Sequence, residues 1–164
     1  MKRGEKGFTL IEVLIVIAIT GVIIGPLAMV TTTLLTNPQR STDQSVVLHQ
    51  VQDAGHWISR DVQMARTVDF DEPDVFLRLH IPVDTDVNND YSVVYLFDGD
   101  KLKRRVYDSS EILISETLIA DYIDTDNTAF STLGFSLYKL TIRASKGEAV
   151  VKRSYEVSQR LTIS

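Results

Sequence analysis

Apolar residues follow two different rhythms along this chain, and one stretch has no rhythm at all. That stretch comes first. From Val13 to Gln39 no side chain is charged, and apolar residues fall on every helical face. About 20 apolar residues in a helix cross the hydrocarbon core of a bilayer, so the run is long enough with a turn or two to spare. Gly21, Gly25 and Pro26 are its irregular points. Proline removes a helical hydrogen bond and crowds the preceding turn, and neighbours in a membrane can re-satisfy the backbone, so a kink, or a segment able to stretch, is expected there. A second kink or short break is expected at Asn37-Pro38, where Asn suits a helix cap and Pro a first turn.

From Thr42 the period is helical. Val47, Val51, Ala54, Ile58, Val62 and Ala65 recur at spacings of three and four, with His49, Gln52, His56, Ser59, Gln63 and Arg66 opposite. This predicts an amphipathic helix with one buried stripe, which Trp57 and Met64 widen. Asp61 projects toward the apolar side. A buried carboxylate is costly without a partner, and Arg60 or a residue from the sheet has to supply one.

After Val68 the period becomes two. Val75 to Ile81 alternates, with Leu77, Leu79 and Ile81 on one face and Arg78 and His80 on the other, as in a half-buried strand. Tyr91 to Phe97 is mostly apolar and predicts a central strand. Asp98-Gly99 signals a hairpin, and Lys101 to Tyr107 returns, basic enough for an edge or a wet face. Ile112 to Ile119 fits strand or helix. Leu133 to Ala144 and Ala149 to Ile163 predict two long strands joined at Ser145-Lys146-Gly147. The expected class is α+β: a long N-terminal helix, transmembrane in its first half and amphipathic in its second, packed on an antiparallel sheet of about five to seven strands. The expected segments are a leader at 1–7, a transmembrane and assembly helix at 8–36, its amphipathic continuation at 37–68 and the sheet at 69–164.

Charge sharpens the first segment. Lys2, Arg3 and Lys6 precede the apolar run and hold the N-terminus in the cytoplasm, so the larger part of the chain is expected across the membrane. A secretory signal peptide has a shorter apolar region ending in a small-residue cleavage site; this run is longer and continues into Met29-Val30-Thr31-Thr32-Thr33. The whole chain carries a net charge of −5, which becomes −7 without the leader. So acidic a chain has no overall electrostatic footprint for nucleic acid, although Lys101, Lys103, Arg104 and Arg105 form a local basic cluster. There are no cysteines, hence no disulfide framework and no thiolate metal site.

Catalytic motifs are absent: no nucleophile elbow, P-loop, HExxH or dinucleotide fingerprint. Asp84-Thr-Asp86-Val-Asn88-Asn89-Asp90 begins like a calcium loop, but Asn89 replaces the sixth-position glycine and Tyr95 the twelfth-position acid. As a plain polar turn it needs nothing more, and calcium binding stands as the alternative both here and at the acidic cluster Asp121, Asp124 and Asp126. His49 and His56, seven apart on the polar face, read as solvated surface. No cofactor, metal or catalytic residue is assigned.

One carboxylate, Glu12, opens the apolar run. An ionised side chain in a membrane helix costs roughly 2.5–3.5 kcal/mol and is by default functional and paired. A cut between Gly7 and Phe8 would create an α-amino group one helical turn before Glu12, titrating near 8 and so mostly cationic at neutral pH. The pair could form within one chain or between neighbouring chains. Alternatively, Glu12 lies among the headgroups and pairs with nothing.

The stretch KGFTLIEVLIVIAITGVI, Lys6 to Ile23, resembles the N-terminus of type IV prepilins and type II secretion pseudopilins. Gly7, Phe8, Thr9, Leu10 and Glu12 all fit at the family's spacing, behind a short basic leader. The resemblance covers roughly the first 30 residues. It implies cleavage after Gly7 by a membrane prepilin peptidase, N-methylation of Phe8, and Glu12 as the assembly carboxylate. It also implies packing against other pilins or pseudopilins, an inner-membrane assembly platform, and location first in the cytoplasmic membrane as a single-pass protein, then in a pilus or pseudopilus. The helix segment Ile58 to Arg66 is similar to J-type or W-type minor subunits, which form a tip complex that primes assembly. The expectation is therefore a non-enzymatic structural subunit. Two alternatives stand beside it. One is a minor pilin whose domain binds DNA, a surface or an exoprotein. The other is a plain anchor for an unrecognised domain; an anchored enzyme would act from residues 42–164 alone and be indifferent to Glu12→Ala.

Overall fold

A computed structural model describes residues 9–83 and 89–160, the side chains of residues 28 and 32–40 excepted. The chain divides into two compact units, Met1–Ser41 and Thr42–Ser164. One α-helix, α1, Leu10–Met64, crosses that boundary. It runs on through Asn37-Pro38, where a break was expected, and it stops at Met64 rather than continuing to Val68.

In the second unit the predicted stripe is the core. Val47, Val51, Ala54, Ile58 and Val62 are wholly buried and Ala65 nearly so. Two antiparallel sheets supply the facing residues. The first has the order β1-β2-β3-β4-β5, with β1 at Thr67–Asp69, β2 at Leu77–Ile81, β3 at Tyr91–Asp98, β4 at Lys101–Tyr107 and β5 at Leu113–Ala120. The second has the order β6-β7-β8, with β6 at Ala129–Gly134, β7 at Leu137–Lys146 and β8 at Ala149–Ser158. Leu77, Leu79, Val93, Tyr95 and Leu102 from the first sheet, and Leu140, Ile142 and Val157 from the second, join the helix stripe in one cluster.

Several expectations change. Among the described residues the strands are eight, in two sheets, instead of about five to seven in one. Lys101–Tyr107 is not an edge: β4 pairs with β3 on one side and β5 on the other. Its cations lie on a wet face only in part. Ile112 to Ile119 resolves as strand β5. Leu133 to Ala144 is broken at Phe135-Ser136, a two-residue turn with Gly134 opposite Leu137 and Ser136 at φ 57°. The other hairpins follow the sequence: Gly99 at φ 63° and Gly147 at φ 58° adopt the left-handed backbone that their turns need.

The helix end is closed by a device the sequence conceals. No basic residue stands in the last turn. Instead Gln159, just past β8, donates from Nε2 to the carbonyls of Ala65 at 3.0 Å and Arg66 at 2.8 Å, and the Arg160 amide donates to Gln63 O at 3.2 Å. Terminal carbonyls that lack helical partners are thereby satisfied from the neighbouring sheet.

Candidate functional site: the apolar N-terminal helix

The first unit is a helix with nothing packed on it among its described side chains. Leu10–Thr31 forms a span of 22 residues, none of it buried, long and apolar enough to cross a membrane. At 1.5 Å per residue this is about 33 Å, against about 30 Å for a hydrocarbon core. The large apolar side chains described from Leu10 to Val30 are between 48% and 84% exposed. A lipid environment tolerates such a surface provided that polar groups are satisfied internally. The two hydroxyls in view are: Thr20 Oγ1 donates to Val16 O at 2.7 Å and Thr31 Oγ1 to Leu27 O at 2.9 Å. Gly21 and Gly25 have open space where a Cβ would stand, so both leave shallow points on the helix surface.

Glu12 stands exposed in the first turn of α1. The helix opens at Thr9, whose carbonyl accepts from the amides of Glu12 at 3.0 Å and Val13 at 3.3 Å. An acid in the first turn complements the positive end of the helix dipole. Gly7 and Phe8, the expected cleavage and methylation residues, lie outside the described residues.

The second unit gives the remaining candidates structural work. Asp61 is wholly buried, as its position in the stripe predicted. Its Oδ2 accepts from Tyr95 Oη at 2.7 Å and from Arg104 Nε at 2.7 Å, whereas Arg60 reaches only to 3.9 Å from Oδ1. The partner is thus a sheet residue. Arg60 and Arg104 also lie over the Trp57 ring, at 4.9 and 5.3 Å from its centroid. Burial opposes the Arg104 charge, but its hydrogen bond to Asp61 and the attraction of that carboxylate prevail, and its pKa is raised. Burial and then the Asp61 charge push the Tyr95 phenol far above its usual range.

The basic cluster is therefore not one surface. Alternation along β4 sends Arg104 to the helix side with Leu102, and Lys103 and Arg105 to the other face. There Lys103 pairs with Asp98 at 2.6 Å and Glu116 at 3.5 Å, and Arg105 with Glu116 at 2.6 Å. Those contacts hold the Asp98 and Glu116 carboxyls below their ordinary pKa, the hydrogen bonds from Lys103 and Arg105 respectively being the largest cause.

The acidic sites divide likewise. Asp124 caps the short 3-10 turn Thr125–Asn127 by accepting from the Asn127 amide, and it meets Arg143 at 3.1 Å. The start of the calcium-like loop, residues 84–88, lies outside the described residues; Asp90 pairs with Arg66 at 3.4 Å. Among the described residues no three His, Asp or Glu side chains gather to hold a metal ion. His49 and His56 are exposed on the helix.

Sequence reasoning missed Tyr95, Gly55 and Gln159. The signal for Gly55 was a glycine inside a helical stripe, which marks a close approach. Tyr155 lies over it, donating from Oη to Val51 O at 3.2 Å.

Comparison with known proteins bears on the first unit. The family model for the prokaryotic N-terminal methylation motif matches residues 2–28. No curated protein and no solved structure gives a significant match. Residues 2–28 are a prepilin- or pseudopilin-type signal, and its methylation motif supports a type IV pilin or pseudopilin.

Proposed function

We propose that this chain is a minor pilin or pseudopilin, a structural subunit without catalytic activity. It enters the cytoplasmic membrane through Leu10–Thr31, N-terminus inside. Prepilin peptidase cuts it after Gly7 and the new N-terminal Phe8 is methylated. The chain then joins a type IV pilus or type II secretion pseudopilus through helix packing and Glu12, in a tip or priming complex served by an inner-membrane assembly platform. The observation that carries this reading is the methylation motif at residues 2–28, most of which lies on an apolar helix with no buried residue, Leu10–Thr31. An isolated helix of that kind has no stabilising partner within its own unit. It needs lipid, and after extraction from lipid it needs the parallel helices of other subunits.

The test is intact mass and N-terminal sequencing of the membrane-extracted protein, with and without prepilin peptidase. The expected outcome is a chain starting at methylated Phe8 only when the peptidase is present. A Met1 start under both conditions would remove the filament reading and leave a plain anchor.

A further inference from the structure

Large apolar side chains that a domain leaves in water are usually scattered singly. In the second unit three stand in a row: Ile112, Leu113 and Ile114 are 63%, 48% and 62% exposed. Ile112 precedes β5 and the other two begin it. A paired strand that lies on a core hides alternate residues. Here every residue from Leu113 to Leu118 is exposed, and only Ile119 and Ala120 at the other end are buried. The first part of β5 is held by its pairing with β4 and has no core on either face. Register adds to this. Val106 is opposite Ser115 and Tyr107 opposite Leu113, so the shift between them leaves Ile114 with no opposite residue.

The turn that leads into this triplet is tied down. Asp108 Oδ1 accepts from the amides of Ser110 at 2.9 Å and Ile112 at 2.8 Å. The Asp108 amide donates to Ile112 O at 3.0 Å, and the Glu111 amide to Asp108 O at 3.0 Å. Glu111 closes the turn in the left-handed region, at φ 60°. Side chains presented in one arrangement lose less entropy on binding. The rim of the triplet is acidic. The Glu111 side chain is 65% exposed, and Arg78 reaches it only at 3.7 Å. Both oxygens of Glu72 already hold Arg78 Nε, at 2.9 and 3.0 Å. One arginine is thus shared by two carboxylates, and negative charge is left beside Ile112. The wider surroundings have the same sign: residues 42–128 carry seven Lys or Arg against eighteen Asp or Glu.

The geometry points to a docking site: Ile112, Leu113 and Ile114 insert into an apolar groove with a basic rim on a different subunit of the same assembly. A run of roughly three or more exposed apolar residues is an error in a fold unless it serves a function. An apolar centre with a charged rim is the anatomy of a protein interface, and an acidic rim selects a partner of opposite charge. A second copy of this chain does not fit. Its basic part is β6 to β8, where residues 129–160 carry six Lys or Arg against two Asp or Glu. On the face of that sheet away from the core, Lys139, Thr141 and Arg143 of β7 stand opposite Glu156, Ser154 and Lys152 of β8. Those pairs make the middle of the face polar, with no groove for three aliphatic side chains. This inference rests on the assembling subunit proposed above and names the chemistry of its neighbour.

Photo-cross-linking tests the site. The full-length chain is expressed beside prepilin peptidase and the other subunits of the assembly, with p-benzoylphenylalanine in place of Leu113. A second chain carries it in place of Lys139 on the basic sheet. The expected result is an adduct from position 113 with one other chain, whose mass and N-terminal sequence show a prepilin-type signal of its own. Position 139 should give little of it. Ile112→Ser with Ile114→Ser should lower the adduct by about tenfold or more, because two large side chains lose their burial. Glu111→Lys should lower it as well, through the reversed rim charge. All three positions are exposed, so each variant should keep the melting temperature of the unaltered chain. An adduct with a second copy or with lipid, equal yield from position 139, no adduct, or one indifferent to the substitutions would overturn the docking site. Trimming after Gly7 is read by mass in the same samples. A trimmed chain without the adduct rejects the docking site alone, whereas a chain that keeps Met1 rejects the filament reading and the docking site with it.

Discussion

Asp61 shows how one residue ties the helix to the sheet. Its carboxylate is buried with two donors, from Tyr95 and Arg104, while its Oδ1 accepts no hydrogen bond. Breaking a buried ion pair from one side leaves an uncompensated charge, whereas replacing both partners by apolar groups is often neutral. Asp61→Leu or Arg104→Met alone should therefore cost about 3–5 kcal/mol, and the two together should recover most of the loss. Urea melts of the four chains check this; additive losses would show that the two side chains act independently. The phenol at the same place predicts a pH effect. Burial, then Asp61, raises the Tyr95 pKa above its ordinary 10.0, so the folded state keeps a proton that the unfolded chain releases. The stabilisation is complete below pH 10 and falls as pH rises further, by about 1.4 kcal/mol per pH unit for this one group. Burial raises Tyr138 and Tyr155 in the same direction. Tyr95→Phe should thus flatten the alkaline decline of the melting temperature without abolishing it.

At the scale of elements, helix and sheet meet closely at Gly55. A Cβ placed there would run into the Tyr155 ring at Cζ and stand 2.7 Å from its Oη, so the ring or the helix must move. Ala is favoured over Gly in a helix interior by about 1 kcal/mol, but overpacking costs typically 1–3 kcal/mol. Gly55→Ala should consequently destabilise the domain by about 1–2 kcal/mol, and in a Tyr155→Ala background it should stabilise it, because only the propensity remains. Thermal melts of the four chains separate the two effects. The contrast between Gly55 and the stripe around it explains what the sequence revealed. Val47 to Ala65 was legible because burial on one face of a helix imposes a period on one chain segment. The partner of Asp61 was not, because Arg104 lies far off in sequence and reaches it only through sheet register. β1 and β6 escaped notice for the same reason: Thr67–Asp69 and Ala129–Gly134 are short, largely exposed and held by pairing, not by a pattern of their own. The N-terminal signal at residues 2–28 was legible because it is local to one stretch of the chain.

At the scale of the molecule, the two units obey opposite rules. Thr42–Ser164 buries a core of its own; the described part of Met1–Ser41 buries nothing, and its surface from Leu10 to Thr31 is hydrocarbon. Lipid satisfies that surface except at Glu12. An ionised carboxylate at membrane depth costs roughly 2.5–3.5 kcal/mol, a cost removed if the residue meets the cationic amine of a trimmed neighbour. Under the proposed function this difference drives transfer from bilayer to filament. Glu12→Ala should then leave cutting after Gly7 and methylation of Phe8 intact, while the altered chain is depleted from filaments by about a hundredfold, the population ratio that such a free energy sets. Glu12→Gln separates charge from hydrogen bonding. It keeps the polar head and loses the ion pair, so it should be depleted almost as strongly as Glu12→Ala. Quantifying trimmed chain in sheared filaments and in membranes from cells expressing each variant beside the other subunits provides the measurement. If Glu12→Ala enters filaments as readily as the unaltered chain, Glu12 lies at the headgroups without a partner, and assembly must draw on helix packing alone.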